Sequence, residues 1–386
     1  MRGNWNYPTA IRFGAGRIGE LPSACRELGM RRPLLVTDPG LAALPMIEAA
    51  LAGCRAAGLD GTAVFAEVRG NPVGANVEAG VTAYRQGGHD GVIAWGGGSA
   101  LDAGKAIALM VGQARPLWDF EDRDDWYTRV DVAGMAPVIA VPTTSGTGSE
   151  VGRASVITDE RDHVKKIIFH PRMLPALVIA DPELTLGLPA RLTAAVGIDA
   201  LSHNLEAWCS PLYHPLAQGI ALEGIRLVHD WLPAACADGS NLEARSQMMA
   251  ASTMGATAFQ KGLGAMHSMA HPCGAVLDTH HGLTIAIVMP YVLAFNRPAI
   301  GDRLAALARY LALPGGGAGA VLDWILDLRE RIGIPHTLAA LGVTAERVPL
   351  LARMAAADPS TGTNPVQPVT AEQFEALFHS AIEGRL

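Results

Sequence analysis

Gly91-Val-Ile-Ala-Trp95-Gly96-Gly97-Gly98-Ser99-Ala100-Leu101-Asp102-Ala-Gly104-Lys105 is the stretch on which the fold is decided. Gly91 to Trp95 reads as a buried strand, Gly96 to Ser99 as a turn, and the residues from Ala100 to Met110 as the start of a helix. A glycine turn at a helix N-terminus lets the backbone approach an anion closely, and the free N–H groups and the helix dipole favour negative charge there. A dinucleotide pyrophosphate is the natural occupant. Neither the G-x-G-x-x-G fingerprint nor the Walker pattern is present, so three glycines taken alone fit a tight βα turn equally well.

The flanking sequence repeats the alternation. Upstream, residues near Thr9 to Gly19 read as a strand and turn. Pro33-Leu-Leu-Val-Thr-Asp38 is a short apolar run ending on an acid, and Leu41 to Gly58 has helical character. Thr62 to Val68 reads as a strand leading into the turn Gly70-Asn71-Pro72, and Asn76 to Gly87 as a helix. Downstream, the strand Pro137 to Pro142 delivers Thr143-Thr144-Ser-Gly-Thr147-Gly-Ser149-Glu150, a second loop dense in hydroxyls and glycine. Alternating strand and helix predicts a parallel sheet covered on both faces, with ligands at the carboxyl ends of its strands. Lys165 and Lys166 follow in a polar segment, either a solvated turn or a phosphate contact.

After Leu177-Val-Ile-Ala-Asp181 the texture changes. Helical stretches are predicted at Arg191 to Ser210, Pro215 to Cys236, Asn241 to Gly262, Met266 to Gly274, Gly301 to Leu311, Ala318 to Gly333 and Thr370 to Gly384. The expected division is an α/β dinucleotide-binding domain over residues 1–187 and an all-helical domain over 188–386. A chain of 386 residues is long for a single core, which agrees with two domains.

Composition excludes several classes. Apolar residues make up 49% and charged residues 17%, too apolar for a mainly disordered chain. The net charge of −7 leaves no basic stripe for nucleic acid. Residues 1–8 lack an apolar signal region. Leu283 to Phe295 is interrupted by Pro290 and is shorter than the ~20 residues that span a bilayer, so no membrane association is expected. Five scattered cysteines without a C-x-x-C pair suggest reduced thiols in the cytoplasm.

Gly262 to His281 holds four of the chain's twelve histidines in small, apolar surroundings. Imidazoles are costly to bury there unless paired or bound to a metal. Upstream, Asp199 and His203 lie four residues apart and share one helical face. One carboxylate with several imidazoles suits Zn²⁺ or Fe²⁺ better than Ca²⁺ or Mg²⁺. Spacing leaves the set open, since His267 pairs with His271 at i,i+4 as naturally as with His281, and His280 competes. The H-E-x-x-H pattern of a metalloprotease is absent.

With these residues in view the chain resembles the iron-containing (group III metal-dependent) alcohol dehydrogenase family. The matching pieces are Phe13-Gly-Ala-Gly16, Gly96 to Lys105, Pro142 to Glu150, Asp199-Ala-Leu-Ser-His203, the histidine stretch, and Asp358 to Pro365. The resemblance implies a dehydroquinate-synthase-like fold, with the metal in the cleft between a nucleotide domain and a helical domain, and a homodimer or larger oligomer. It places the metal ligands on Asp199, His203, His267 and His281, and a proton-relaying histidine on His271. It places cofactor contacts on Asn71, Pro72, Gly97, Gly98, Ser99, Asp102, Thr143, Thr144 and Lys165. Asp38 matches the acid that holds the adenosine ribose, where its charge would repel a 2′-phosphate, so NAD is favoured over NADP.

The implied activity is metal-dependent hydride transfer between NAD(H) and a small alcohol/aldehyde pair, with Fe²⁺ favoured and Zn²⁺ also admitted. Glycerol-dehydrogenase-like polyol oxidation and maleylacetate-reductase-like reduction are the alternatives on the same fold. The chain departs from the family pattern at Gly152, Arg153 and Ala154, which suggests a roomier pocket, and at His280, where proline is common. Arg153 fits either an anionic substrate group or a surface ion pair.

Overall fold

The computed structural model describes residues 9–162 and 164–386; the N-terminal segment read above for a signal region lies outside them. The chain divides into two compact units. One takes in residues 9–144 and Gly148–Leu186, the other Ser145–Thr147 and Gly187–Leu386.

The first unit is built in chain order from β1 (Ala10–Phe13), α1 (Leu21–Glu27), β2 (Pro33–Val36), α2 (Pro39–Ala42), α3 (Pro45–Ala56), β3 (Ala63–Phe65), α4 (Gly74–Gly87), β4 (Gly91–Gly96), α5 (Gly98–Met110), β5 (Val138–Pro142), the pair β6 (Ala154–Asp159) and β7 (Val164–Phe169), and β8 (Leu177–Ala180). Six strands form a parallel sheet in the order β1-β8-β5-β4-β2-β3. β2, β4, β5 and β8 bury nearly every residue, because helices cover both sheet faces and no solvent side remains.

Strand order reverses between β2 and β4. From β2 the chain moves outward to β3, then crosses back over β2 to reach β4 and continues the other way. Such a switch point opens a crevice at the carboxyl ends of its two strands. Thr37-Asp38 leaves one of those ends and Gly97-Gly98 the other. α5 lies close on β4 because residue 104 is glycine: a Cβ there would stand 2.5 Å from that of Ala94.

β6 and β7 form an antiparallel hairpin where the sequence shows only a polar segment. Lys165 and Lys166, adjacent on β7, project to opposite faces. Lys166 donates to Asp159 at 2.6 Å, and Lys165 donates to Asn71 Oδ1 at 2.7 Å.

The second unit is helical: α6 (Ala190–Cys209), α7 (Pro215–Ala237), α8 (Leu242–Ala258), α9 (Ala265–Leu277), α10 (His281–Tyr310), α11 (Ala318–Arg331), α12 (Val348–Ala357) and α13 (Ala371–Glu383). Its core gathers Leu201 and Leu205 of α6, Ile225 and Val228 of α7, Ile285 to Leu293 of α10, and Phe374 and Phe378 of α13.

α10 corrects one expectation. The helix predicted at Gly301 to Leu311 begins at His281 and runs unbroken for 30 residues through Pro290 and Pro298, so Pro290 does not interrupt it. Buried Arg329 donates to Ile287 O at 3.0 Å, three residues ahead of Pro290. The helix is long and apolar enough to cross a bilayer, yet 72% of its most apolar window is buried within the protein, as in a core helix.

Candidate metal centre and nucleotide site

Three helices of the second unit bring the metal candidates together. Asp199 and His203 lie one turn apart on α6, His267 and His271 one turn apart on α9, and His281 opens α10. Glycines set the approach of the helices. A Cβ at Gly282 would stand 2.5 Å from the Ala195 carbonyl oxygen and 3.3 Å from Asp199 Cβ; one at Gly255 would stand 2.9 Å from His203 Cβ.

Ligand atoms of Asp199, His203 and His267 all lie within 4.8 Å of one another, and all three residues are buried. His281 joins them with its Nε2 3.5 Å from Asp199 Oδ1. The His203 and His267 rings stack at 4.8 Å, and His281 lies 5.4 Å from His267.

Among the described residues Asp199 Oδ1 and His267 Nε2 are buried without a hydrogen-bond partner, and His203 Nε2 lies 3.9 Å from Asp199 Oδ1. An unsatisfied buried polar group costs about 1–3 kcal/mol, so two of them grouped with a third ligand residue need a common partner. A cation is the partner this donor set fits. One carboxylate with imidazoles matches the N/O preference of Fe²⁺ and Zn²⁺. Burial pushes His203 down to about 4, which keeps it neutral with a lone pair to offer. At His267 burial opposes the charged form, but Glu206 outweighs it through charge and hydrogen bond, and proton affinity is raised.

Two carboxylates behind the histidines were not singled out by sequence. Glu206 Oε2 lies 2.6 Å from His267 Nδ1, and Asp358 Oδ2 lies 2.8 Å from His271 Nδ1. Asp358 is held down at about 2; burial opposes this, and the charge and hydrogen bond of His271 together with the Ser360 amide overcome it. His280, the departure from proline, caps α10, its Nδ1 accepting from Leu283 N at 3.3 Å. Its φ of −65° is one that proline also adopts.

In the first unit the nucleotide candidates gather at the switch point. No side chain caps α5, which leaves its first-turn amides at Gly98 and Ser99 aimed outward. Gly96 has φ +145°, and a Cβ there would meet that of Ala100 at 2.7 Å, so only glycine makes this turn. Thr144 borders Gly97 at 3.4 Å from a notional Cβ, and Thr143 N donates to Gly96 O at 3.0 Å. Asp38 caps α2 through Oδ1, which accepts from Leu41 N at 2.9 Å.

Other candidates lie in supporting structure. Asp102 accepts from Ser149 Oγ at 2.5 Å and from Val156 N at 2.9 Å, with buried Lys105 at 3.3 Å, and so anchors the β6–β7 hairpin. Lys165 reaches Asn71, which holds left-handed backbone with φ +54°, and Pro72 O accepts from Thr158 N. Arg153 stacks over the Phe169 ring at 5.6 Å.

Comparison with known proteins agrees over the full length. Residues 8–182 match the family described as iron-containing alcohol dehydrogenase, and residues 193–382 the C-terminal part of the Fe-containing alcohol dehydrogenase family. The chain is 40% identical to a 4-hydroxybutyrate dehydrogenase of Cupriavidus necator, over 97% of this chain and 98% of that one. It is 35% identical to an NAD-dependent methanol dehydrogenase of Bacillus methanolicus, over 98% and 100%. Among solved structures, a 1,3-propanediol oxidoreductase superposes with a TM-score of 0.93 at 34% identity, covering 99% of this chain and 100% of that one. A sulfoacetaldehyde reductase from Bifidobacterium kashiwanohense in complex with NAD⁺ gives 0.88 at 29%, covering 99% of each.

Proposed function

Since the chain belongs to the iron-containing alcohol dehydrogenase family, we propose that Asp199, His203, His267 and His281 bind its divalent metal and that His271 handles the proton. The protein is a metal-dependent oxidoreductase that transfers a hydride between NAD(H) and a small alcohol/aldehyde pair. The observation that supports the site assignment is the gathering of buried Asp199, His203 and His267 ligand atoms within 4.8 Å of one another, with Asp199 Oδ1 and His267 Nε2 unsatisfied.

A bound cation supplies Lewis acidity toward the substrate oxygen, and NAD⁺ supplies the hydride acceptor. Asp199 contributes the one negative charge among the four ligands, so the centre stays cationic toward oxygen. The imidazoles leave Fe²⁺ as the favoured ion and Zn²⁺ as its competitor. Asp358 fixes the His271 ring through Nδ1, which leaves Nε2 to accept the proton the alcohol sheds as hydride departs.

On the nucleotide side, the α5 N-terminus with Gly97, Gly98 and Ser99 binds the pyrophosphate through backbone N–H groups. Thr143 and Thr144 flank it from the β5 loop. Asn71, Pro72 and Lys165 hold the cofactor from the other wall, and Asp102 keeps that wall in place. Asp38 takes the adenosine ribose and disfavours a 2′-phosphate. The substrate is a short primary alcohol, with 4-hydroxybutyrate and unbranched diols the first to test in view of the relatives' activities. The five free thiols, four of them buried, support a cytoplasmic protein, and the edge position of β1 with its exposed Phe13 supports a homodimer or larger oligomer.

The test pairs elemental analysis of freshly purified protein with an NAD-linked panel of methanol, 1,3-propanediol, glycerol and 4-hydroxybutyrate. Stoichiometric iron or zinc and NADH formation with a primary alcohol are expected. Full metal content in a variant carrying Asp199→Ala and His203→Ala would remove the ligand assignment.

A further inference from the structure

We propose that Glu206 is a positioning residue for the metal centre: one carboxylate oxygen dictates which nitrogen of His267 carries the proton, and the other fixes the start of the helix that carries His267. The inference rests on the ligand assignment above and adds a residue outside it.

Glu206 lies on α6, three residues beyond His203 and thus on the same face as Asp199 and His203. It is buried, and among the described residues its hydrogen-bond and ion-pair contacts include no Lys or Arg. Both oxygens are committed to α9. Oε1 accepts the Met266 N–H at 2.8 Å, and Oε2 lies 2.6 Å from His267 Nδ1. Gly264 makes room, since a Cβ there would stand 3.0 Å from Oε1. The neighbouring amide is held separately, Ala265 N donating to Asn364 Oδ1 at 3.1 Å. The start of α9 is therefore clamped by two side chains from distant parts of the unit, and one of them also grips the imidazole.

The chemistry follows from what a carboxylate can do. Ionised, it only accepts, so the proton of a neutral His267 sits on Nδ1. That leaves the lone pair on Nε2, the atom that is buried, unsatisfied, and grouped with Asp199 and His203. A carboxylate behind a ligating imidazole also raises its basicity, and losing such a partner typically costs about 10–100-fold in metal affinity.

Glutamine exposes the logic because it matches glutamate in size. If its amide oxygen accepts from Met266 N, its NH₂ faces His267 Nδ1 and drives the proton to Nε2, where it blocks the ligand atom. If its oxygen faces His267, its NH₂ meets the Met266 N–H, donor against donor. Neither orientation reproduces both bonds.

The experiment compares wild type, Glu206→Gln, Glu206→Ala and His203→Ala. Zinc affinity is measured by chelator competition, and the His267 tautomer by ¹⁵N-histidine NMR of metal-free protein. Wild type should bind zinc stoichiometrically with the proton on Nδ1. Glu206→Gln should shift the proton to Nε2 and weaken zinc about 10–100-fold while keeping a cooperative melt. Glu206→Ala, which allows either tautomer, should fall between wild type and Gln in the NMR readout. A Glu206→Gln protein that holds zinc within twofold of wild type with the proton still on Nδ1 overturns the proposal. Wild type and His203→Ala binding zinc equally would instead overturn the ligand assignment.

Discussion

A Cβ added to Gly282 would stand 2.5 Å from the carbonyl oxygen of Ala195, closer than a carbon approaches an oxygen without something moving. The obstacle is helix backbone, so the start of α10 would have to retreat from α6, carrying His281 with it. Gly282→Ala is expected to destabilise the protein by about 1–3 kcal/mol and to weaken metal binding. Gly319 on α11 is the control, because a Cβ there meets nothing within 4 Å. Gly319→Ala should be neutral or stabilising by up to about 1 kcal/mol with metal affinity unchanged. Thermal melts and chelator competition on both variants check the contrast.

Asp38 serves the fold and the proposed cofactor choice through different properties, and one substitution separates them. Asparagine retains the side-chain oxygen that caps α2 at Leu41 N but removes the charge. Asp38→Asn should melt within about 0.5 kcal/mol of wild type. Its kcat/KM with NADP relative to NAD should rise about tenfold or more, since like charges juxtaposed at an interface cost several kcal/mol. Steady-state kinetics with both cofactors decide it; an unchanged ratio would place the ribose elsewhere.

How far the sequence discloses this molecule depends on the distance over which a feature is encoded. The βα turn at Gly96 to Ser99 and the i,i+4 pair Asp199/His203 are local, and spacing reveals them. Glu206 and Asp358 are not local: their histidine partners lie 61 and 87 residues away. Glu206 did leave a signal, a buried-type acid one turn past His203. The β6–β7 hairpin escaped notice because each strand has six residues with mixed polarity and its lysines resemble a solvated turn. Pro290 reads as a helix end because proline lacks the N–H of the helical ladder, but burial of α10 in the core of the second unit keeps the helix continuous. α12 went unseen between short 3₁₀ turns, its ten residues carrying only about three helical turns of periodicity.

Asp159 gives the first unit an acid-sensitive point. Its carboxylate accepts from Arg161 at 2.8 Å and from Lys166 at 2.6 Å, and these cations hold it well below the usual carboxylate range. A depressed pKa contributes stability that is fully present above the unfolded value of 3.8 and drains away as pH falls below it. Amides of β6 and β7 should therefore lose hydrogen-exchange protection between about pH 4 and pH 2, ahead of the sheet core. In Asp159→Asn the hairpin should already be less protected at pH 7 and should lack this acid step. Exchange rates for Thr158 and Lys166 in both proteins provide the check.

Asp199 should reverse its contribution to stability when metal is added. In metal-free protein it is a buried carboxylate whose Oδ1 has no hydrogen-bond partner, and such a group opposes folding. Asp199→Asn removes the charge at nearly constant volume, so the metal-free variant should melt at or above the wild-type temperature at pH 8. With metal the order inverts. Wild type gains stability as its folded state is drained into the bound form, about 2.7 kcal/mol at a free metal concentration a hundred times its dissociation constant. The variant, lacking the only anionic ligand, should gain little at the same concentration. Melting curves with chelator and with excess zinc should therefore cross between the two proteins. A variant less stable than wild type by the same margin in both conditions would make Asp199 a structural residue and leave the histidines without their carboxylate.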